Sequence, residues 1–565
     1  MKQKLRLLPE RVEKLAGGGI CVFVGIMMLI LTSTAFLFTT GMEIVKAGAG
    51  MDTTVNRIFE LEESVIYYSD FLPGNLILLA ISLIGCMLLL KAVSKLRFRY
   101  QAAILVVWTL ALGMIWVFSS QVKPSYDSAY VTSSALAFSR GDFTDMSGTY
   151  LREYPYQLGY IQLCEIIFRA VALFGGTPGK TLILQAANVV FLAGSYVGLL
   201  GIAAMLFPDT RVRHITFLLL LFCAQPILSC VFTYGIVPGI CFAVWAILFQ
   251  ILWFKKDKFS CGILSALCIG LAVLVKSNNL IVLIAMMIVA ALRFFKRKQY
   301  VKDIAVILAA CIWALTFPTM VRMAYEHRSG VELEPGIPYV SWIAMGLSES
   351  RRAPGWYSNV SSNATFKDLG SDADVMAEYS KDIIKKRITY FTEHPQYTRD
   401  FFYRKYVSQF NETTYQSIWN NIVRKQYKEK NAFASWVCGD GQTAVKRYMD
   451  AFSQLVFVGF LMAIFLMLRR HDYTALILPL SVLGGMLFHL LAEGKSQYIL
   501  PYFILMLPVA AWGIVWICSR TGRIARKRIT VYLNAEKRGI FLNKLLKRFA
   551  VKTNAEDASS ASVEV

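Results

Sequence analysis

The chain has 565 residues, of which 56% are hydrophobic and only 17% charged, and its mean hydropathy is +0.50; soluble domains are about half apolar and about a quarter charged, so one water-soluble globule is excluded. Apolar runs of about 17 to 25 residues, separated by short charged punctuation, are instead the pattern of membrane-spanning helices. The formal charge of +22 does not point to nucleic acid, because Lys and Arg sit mostly in short connections between those runs, the positive-inside pattern of a protein whose partner is the lipid bilayer.

A basic start (Lys2, Lys4, Arg6, Arg11, Lys14) leads into a first span over about 20–40. That run is long and lacks a small-residue cleavage site, so it reads as a retained span or signal anchor with a cytoplasmic N-terminus. The loop behind it is acidic, with Glu43, Asp52, Glu60, Glu62 and Glu63. Span 2, over 72–90, returns to Lys91, Lys95, Arg97 and Arg99, and span 3, over 102–120, exits again into Ser125-Tyr-Asp-Ser-Ala-Tyr130. In the loop that follows, 158–174 is apolar at helical spacing but carries Glu165 and Arg169, which suits a helix lying along the interface better than a crossing.

Span 4, over 182–207, ends at Arg211 and Arg213. Spans 5 and 6 form a hairpin from 215 through Pro238 to 254, ending in Lys255-Lys-Asp-Lys258. Spans 7 and 8 flank Lys276-Ser-Asn-Asn279 and finish at Lys296-Arg-Lys298, and span 9 covers 304–320. Residues 322–448 hold no span; helical patterning near 377–391 and 397–410 predicts a small helical outer domain or lid. Spans 10 (452–468), 11 (475–491) and 12 (499–518) close the membrane part, and the basic, amphipathic tail behind them is expected on anionic headgroups. The expected architecture is an all-α polytopic membrane protein of about twelve spans in the cell membrane. Its divisions are 1–121, a first large outer loop 122–180, six central spans 181–322, an outer helical domain 323–450, three last spans 451–518 and a tail 519–565. Both termini are expected in the cytoplasm and the large loops outside.

The informative polar residues then share the outer face: Asp127 with Asp142 and Asp145, Lys276-Ser-Asn-Asn279, Tyr339-Val-Ser-Trp342, and Glu493-Gly-Lys-Ser-Gln-Tyr498. An ionisable side chain next to lipid is costly and marks a functional candidate. Each has a plainer alternative: Lys276 and Lys495 can snorkel to the interface, and Asp127 can cap a short helix over 129–138. The eleven cysteines lie mostly within apolar runs and without zinc-ligand spacing, so they read as core residues, as does His489 inside span 11. Asn363-Ala-Thr and Asn411-Glu-Thr match the glycosylation acceptor pattern at chance level, and Gly17-Gly-Gly19 reads as close helix packing.

The span followed by Tyr126-Asp-Ser-Ala-Tyr130, the continuation to Gly141-Asp-Phe143, the Tyr154-Pro-Tyr loop with its interfacial helix ending in Phe174-Gly175, and the late 493–498 segment together resemble the GT-C membrane glycosyltransferases. The likeness is greatest to the bacterial branch related to protein O-mannosyltransferases and aminoarabinose transferases. It covers most of the membrane part as a layout of short patterns. It implies an integral glycosyltransferase moving a hexosyl or pentosyl group from a polyprenyl-phosphate donor to an extracytoplasmic acceptor in the cell envelope. It also implies that Asp127 is the catalytic base or a metal ligand, with a divalent ion such as Mg or Mn as a possible cofactor.

The chain departs from that family at two places. Ser128 stands where many members have a second acidic residue, and Tyr154-Pro-Tyr-Gln-Leu-Gly159 replaces a Lys-Pro-Pro segment. By chemistry and side of membrane, Arg152, Lys276 and Lys495 are candidates for the donor phosphate. Tyr126, Asp142, Tyr156, Gln157, Trp342, Glu493 and Tyr498 are candidates for holding the acceptor or positioning the others. The alternative is a multi-pass transporter or lipid flippase, which predicts polar residues at the midplane and two related halves.

Overall fold

The computed structural model describes residues 2–46, 61–297, 299–358, 360–419 and 431–520. In chain order, α1 (Lys2–Leu37) precedes an antiparallel ribbon of β1 (Phe38–Lys46) and β2 (Leu61–Ser69), then α2 (Leu72–Val93) and α3 (Phe98–Ser120). Short elements follow: α4 (Asp127–Ser139), α5 (Thr149–Glu153) and α6 (Leu158–Leu173). The central helices are α7 (Thr181–Leu206), α8 (Thr210–Phe222), α9 (Ala224–Ser229), α10 (Ile236–Lys256), α11 (Phe259–Val275), α12 (Leu280–Arg297) and α13 (Tyr300–Ser329). The polar part holds α14 (Tyr339–Gly346), α15 (Thr365–Asp368), α16 (Ala373–Glu393), α17 (Pro395–Phe410) and α18 (Ala432–Cys438), and the chain returns through α19 (Gln442–Arg470), α20 (Ile477–Leu491) and α21 (Leu500–Arg520). Two compact units divide it, Met1–Gly513 and Ile514–Val565, and the site lies in the first. The acidic stretch 47–60 and the basic tail beyond 520 fall outside the described residues.

Among the described residues nine helices are long and apolar enough to cross a bilayer, where the sequence reading expects twelve spans. The shortfall has a physical source. Helix α11 has 17 residues and α20 has 15; at about 1.5 Å per residue the latter reaches roughly 22 Å, short of the roughly 30 Å hydrocarbon core. Expected span 5 is broken into α8 and α9 by Cys223. The broken stretch stays within the bundle because its backbone carbonyls are capped by side chains of α3 and α7. Trp108 Nε1 donates to Leu221 O (2.9 Å), Trp116 Nε1 to Leu228 O (3.0 Å) and Tyr196 Oη to Cys223 O (3.1 Å), while Asn188 Nδ2 reaches Cys230 O (2.9 Å) and Gln185 Nε2 reaches Val231 O (3.0 Å). Irregular backbone at membrane depth is tolerated only where protein satisfies it in this way.

Close packing elsewhere follows small residues. On α7, Gly194, Gly198 and Gly201 face α10, and a Cβ on Gly198 would stand 2.6 Å from Val244 Cγ1. This small-residue stripe lets two helix backbones approach. Helix α13 is 30 residues long, about 45 Å, and so carries its last turns beyond the bilayer core. Those turns explain the charges on α6, which has 16 residues and is not among the nine. Glu165 is buried and accepts from Arg169 Nε (2.8 Å), Arg328 Nη2 (2.7 Å) and Tyr325 Oη, locking α6 to α13.

The turns expected to be basic meet at one end of the bundle. Gln101 Nε2 lies 2.7 Å from His214 Nδ1, Arg293 Nη2 donates to Thr474 O (3.2 Å), and Gln299 contacts Asp257. At the other end the ribbon, whose first strand the sequence reading divides between the end of span 1 and the acidic loop behind it, packs Met42 and Val65 on Ala353 and Trp356. The sequon Asn411 is buried there, its amide bonded to Phe38 O, so it is no acceptor.

Candidate active site

Five connections converge at the ribbon end: the α3–α4 turn, the segment from α5 into α6, the turn before α10, the turn after α11, and the link from α20 to α21. The first delivers Asp127. Helix α4 begins with Asp127 itself, and Tyr126 occupies the cap position with φ 50° and ψ −135° and no side-chain cap bond. The capping alternative for Asp127 is therefore wrong, since its carboxylate serves no backbone amide as a cap. Positive φ in a bulky residue costs roughly 1–3 kcal/mol and gathers at functional sites. Ser128 is buried, its hydroxyl donating to Ser125 O (2.8 Å) and accepting from Ser125 N (3.1 Å), so it fixes the turn.

The charge of Asp127 acts on Lys276, Glu493 and Lys495, and on the hydroxyls of Tyr150, Tyr156, Tyr234, Tyr357 and Tyr498. Lys276, in the gap between α11 and α12, holds its Nζ 3.7 Å from the centre of the Tyr234 ring and 5.4 Å from that of Tyr498, while Lys495 stands 5.9 Å over Tyr498. Such cation–π contacts keep an ammonium at a partly dry site. Gln157 is buried and donates from Nε2 to Tyr234 Oη (2.9 Å). Gly235, φ 80°, makes the turn behind Tyr234, and a Cβ there would stand 2.7 Å from Val275 O. A small, partly open cleft lies beside these groups, lined by Ile236, Lys276, Asn278, Asn279, Tyr498, Pro501 and Tyr502.

Burial lowers Lys276 to about 8, against the pull of Asp127 and Glu493. Burial also raises Glu493 to about 7, although Lys495 and Lys276 favour its ionised form. Desolvation disfavours charge on either kind of group. Lys495 is lowered for the same reason, and the Tyr150, Tyr156, Tyr234 and Tyr498 hydroxyls are raised, so the tyrosines stay neutral donors.

Of the residues singled out in the sequence, the fold brings together Asp127, Lys276, Lys495, Glu493, Tyr498, Tyr156 and Gln157. Trp342 is at their edge, its ring 6.3 Å from that of Tyr154. Tyr126 is 74% exposed and serves through its backbone. Two lie apart. Arg152 is exposed and pairs with Glu334 at 3.7 Å, and Asp142 is exposed and accepts from Thr144 N (3.0 Å) and Oγ1 (2.6 Å) to start a turn. Sequence reasoning missed Tyr150, Tyr357, Tyr234 and Arg352. The break Thr233-Tyr-Gly235 in an apolar run was a usable signal for Tyr234. Nothing local marks Arg352, which pairs with Glu63 at 2.9 Å across 289 positions and acts on Glu493 and Lys495.

No group of three or more His, Cys, Asp or Glu side chains is placed to hold a metal ion among the described residues. Asp127 and Glu493 are two carboxylates with two lysines beside them, a donor set that does not fit a protein-held divalent cage.

A sequence profile for a family described as "conserved hypothetical integral membrane protein" matches residues 211–515. No curated protein matches the sequence. Among solved structures, the Archaeoglobus fulgidus oligosaccharyltransferase tethered with an acceptor peptide is similar at 11% identity and a TM-score of 0.40, over 76% of this chain and 50% of that one. The A. fulgidus oligosaccharyltransferase AglB with an inhibitory peptide and a dolichol-phosphate is similar at 12% identity and a TM-score of 0.41, over 77% of this chain and 52% of that one. This chain spans about half the length of each, and likeness at that level says nothing of the reaction.

Proposed function

The chain belongs to the family of conserved hypothetical integral membrane proteins, a description that names no reaction, and we propose from its site that it is a membrane glycosyltransferase using a polyprenyl-phosphate sugar. The observation that carries this reading is Asp127 set against Lys276 and Lys495 in a tyrosine-lined recess at one end of a helix bundle. Transfer of a sugar from a lipid phosphate needs a base for the acceptor hydroxyl and cations for the phosphate as it leaves. In the proposed step the acceptor oxygen bonds to the anomeric carbon as its proton passes to Asp127. The bond from that carbon to the phosphate oxygen breaks, and the charge gathers on the lipid phosphate beside Lys276 and Lys495. Tyrosine hydroxyls that stay neutral are suited to hold sugar hydroxyls and the phosphate.

The acceptor lies, on this reading, outside the cytoplasm and in the cell envelope. Transport has less support. Gln185 and Asn188, buried polar residues of α7, donate to the backbone carbonyls of Val122, Val231 and Cys230.

The test is purified protein given synthetic polyprenyl-phosphate sugars and envelope acceptors. Asp127→Asn should lower transfer at least about 100-fold with insertion intact. Full transfer in that variant sinks the assignment, and vesicle flux of the lipid with no glycosyl product would establish the transporter instead.

A further inference from the structure

Lys405, on α17, has no exposed surface, and its ammonium is fully committed. Nζ donates to Gly346 O at the end of α14 (2.5 Å) and to Leu490 O (2.9 Å) and Ala492 O (2.7 Å) at the end of α20. An ammonium has three N–H donors, and all three are used. The acceptors are of a particular kind. The last carbonyls of a helix have no partner inside it, and the C-terminal end of the helix dipole favours a cation. The very next residue after Ala492 is Glu493, which belongs to the site, and its charge acts on Lys405.

The surroundings allow little play. A Cβ on Gly346 would stand 2.4 Å from Ala492 backbone atoms, and one on Gly355 2.5 Å from Lys405 Cε. Gly494 N donates to Gly355 O (2.7 Å), and Gln409 Nε2, one turn beyond Lys405, donates to His489 O (3.1 Å). Polar atoms thus tie both flanks of Glu493 to α17 and to the chain around Gly355. A buried charge is costly and adds little net stability even when paired. What it secures is the placement of the chain ends that it joins.

We infer that Lys405 is a positioning residue of the site: by clamping the ends of α14 and α20 it fixes Glu493 and Lys495 opposite Asp127 and Lys276. The kinetic part of the test rests on the transferase reading above; the structural part does not. In full-length protein in lipid nanodiscs, Lys405→Met keeps the bulk and removes the donors, and Lys405→Gln keeps two N–H groups. Amide hydrogen exchange of residues 489–499 should quicken by about tenfold or more in Lys405→Met, less in Lys405→Gln, with α10 unchanged. Transfer should fall in the same order through kcat, and the loss should shrink when Glu493 is already Gln, since residues acting through one another are not additive.

Unchanged exchange at 489–499, exchange that rises equally along the whole chain, or additive losses would overturn the inference. Should Lys405→Met fail to accumulate, the Gln variant decides by the same criteria. A loosened 489–499 segment in protein that transfers no sugar in any form would sink the transferase reading and leave Lys405 as the clamp.

Discussion

Glu493 and Lys276 titrate in the same functional direction. Glu493 is raised to about 7 by burial, so below that pH it is neutral and leaves Lys276 and Lys495 free for a phosphate. As pH rises through about 7 it ionises and competes with the phosphate for those lysines. Lys276 is lowered to about 8 by burial, so one step higher in pH it loses its own charge. Both changes weaken donor binding as pH rises. Hydrogen bonds to charged groups are worth about 1.5–3 kcal/mol, so the donor KM should rise roughly tenfold or more across the interval from about 6.5 to 8.5. Glu493→Gln should remove the lower inflection, and Lys276→Gln should weaken binding over the whole range and remove the upper one. Donor binding that tightens with pH would contradict the assignment. These residues were legible in the sequence because each stands in a polar gap directly beside an apolar run. Arg152 and Asp142 stand in the same loop as Asp127 yet turn to Glu334 and Thr144. Proximity along the chain does not tell which way a loop side chain points.

At the scale of elements, the join between α6 and α13 carries the site from behind. Glu165 accepts from Arg169, Arg328 and Tyr325, and Arg169 Nη2 also donates to Phe138 O of α4 (3.0 Å). The start of the same helix follows Gln157, which holds Tyr234. Glu165→Ala would leave those donors around an empty, mostly buried place. Breaking one side of a buried pair costs about 3–5 kcal/mol, but both arginines are partly exposed, so about 2–3 kcal/mol is expected, seen as a lower melting temperature in detergent. The control is Arg211→Ala at the other end of the bundle. Its pair with Asp209 is exposed, and its loss should stay within roughly 1 kcal/mol. Equal effects would mean that the Glu165 cluster does not hold α6 in place. The periodic reading found α6 and its two odd charges but not their partners, because Tyr325 and Arg328 lie some 160 residues away. The β-ribbon was missed for a different reason: its strands fall at the end of span 1 and in the acidic loop behind it, and only the pairing of 38–46 with 61–69 makes them strands.

The whole molecule sorts its charge by end. Lys and Arg recur in the connections that follow α2, α10 and α19 and precede α3, α8 and α13, and contacts such as Gln101 with His214 and Arg293 with Thr474 gather those connections together. The carboxylate and lysine cluster lies at the opposite end with the ribbon and the helices from α14 to α17. Basic connections stay on the cytoplasmic side, so the site should face outward. Single cysteines test this, since the native cysteines are all free and buried or half-buried among the described residues, giving little background. Lys381 on α16 keeps 61% of its side chain exposed, and Lys258 between α10 and α11 is exposed. A membrane-impermeant maleimide should label Lys381→Cys in intact cells and label Lys258→Cys only after permeabilisation. The reverse pattern would place Asp127 in the cytoplasm, where an envelope acceptor is out of reach, and the proposed reaction would fail on geometry however well the residues suit it.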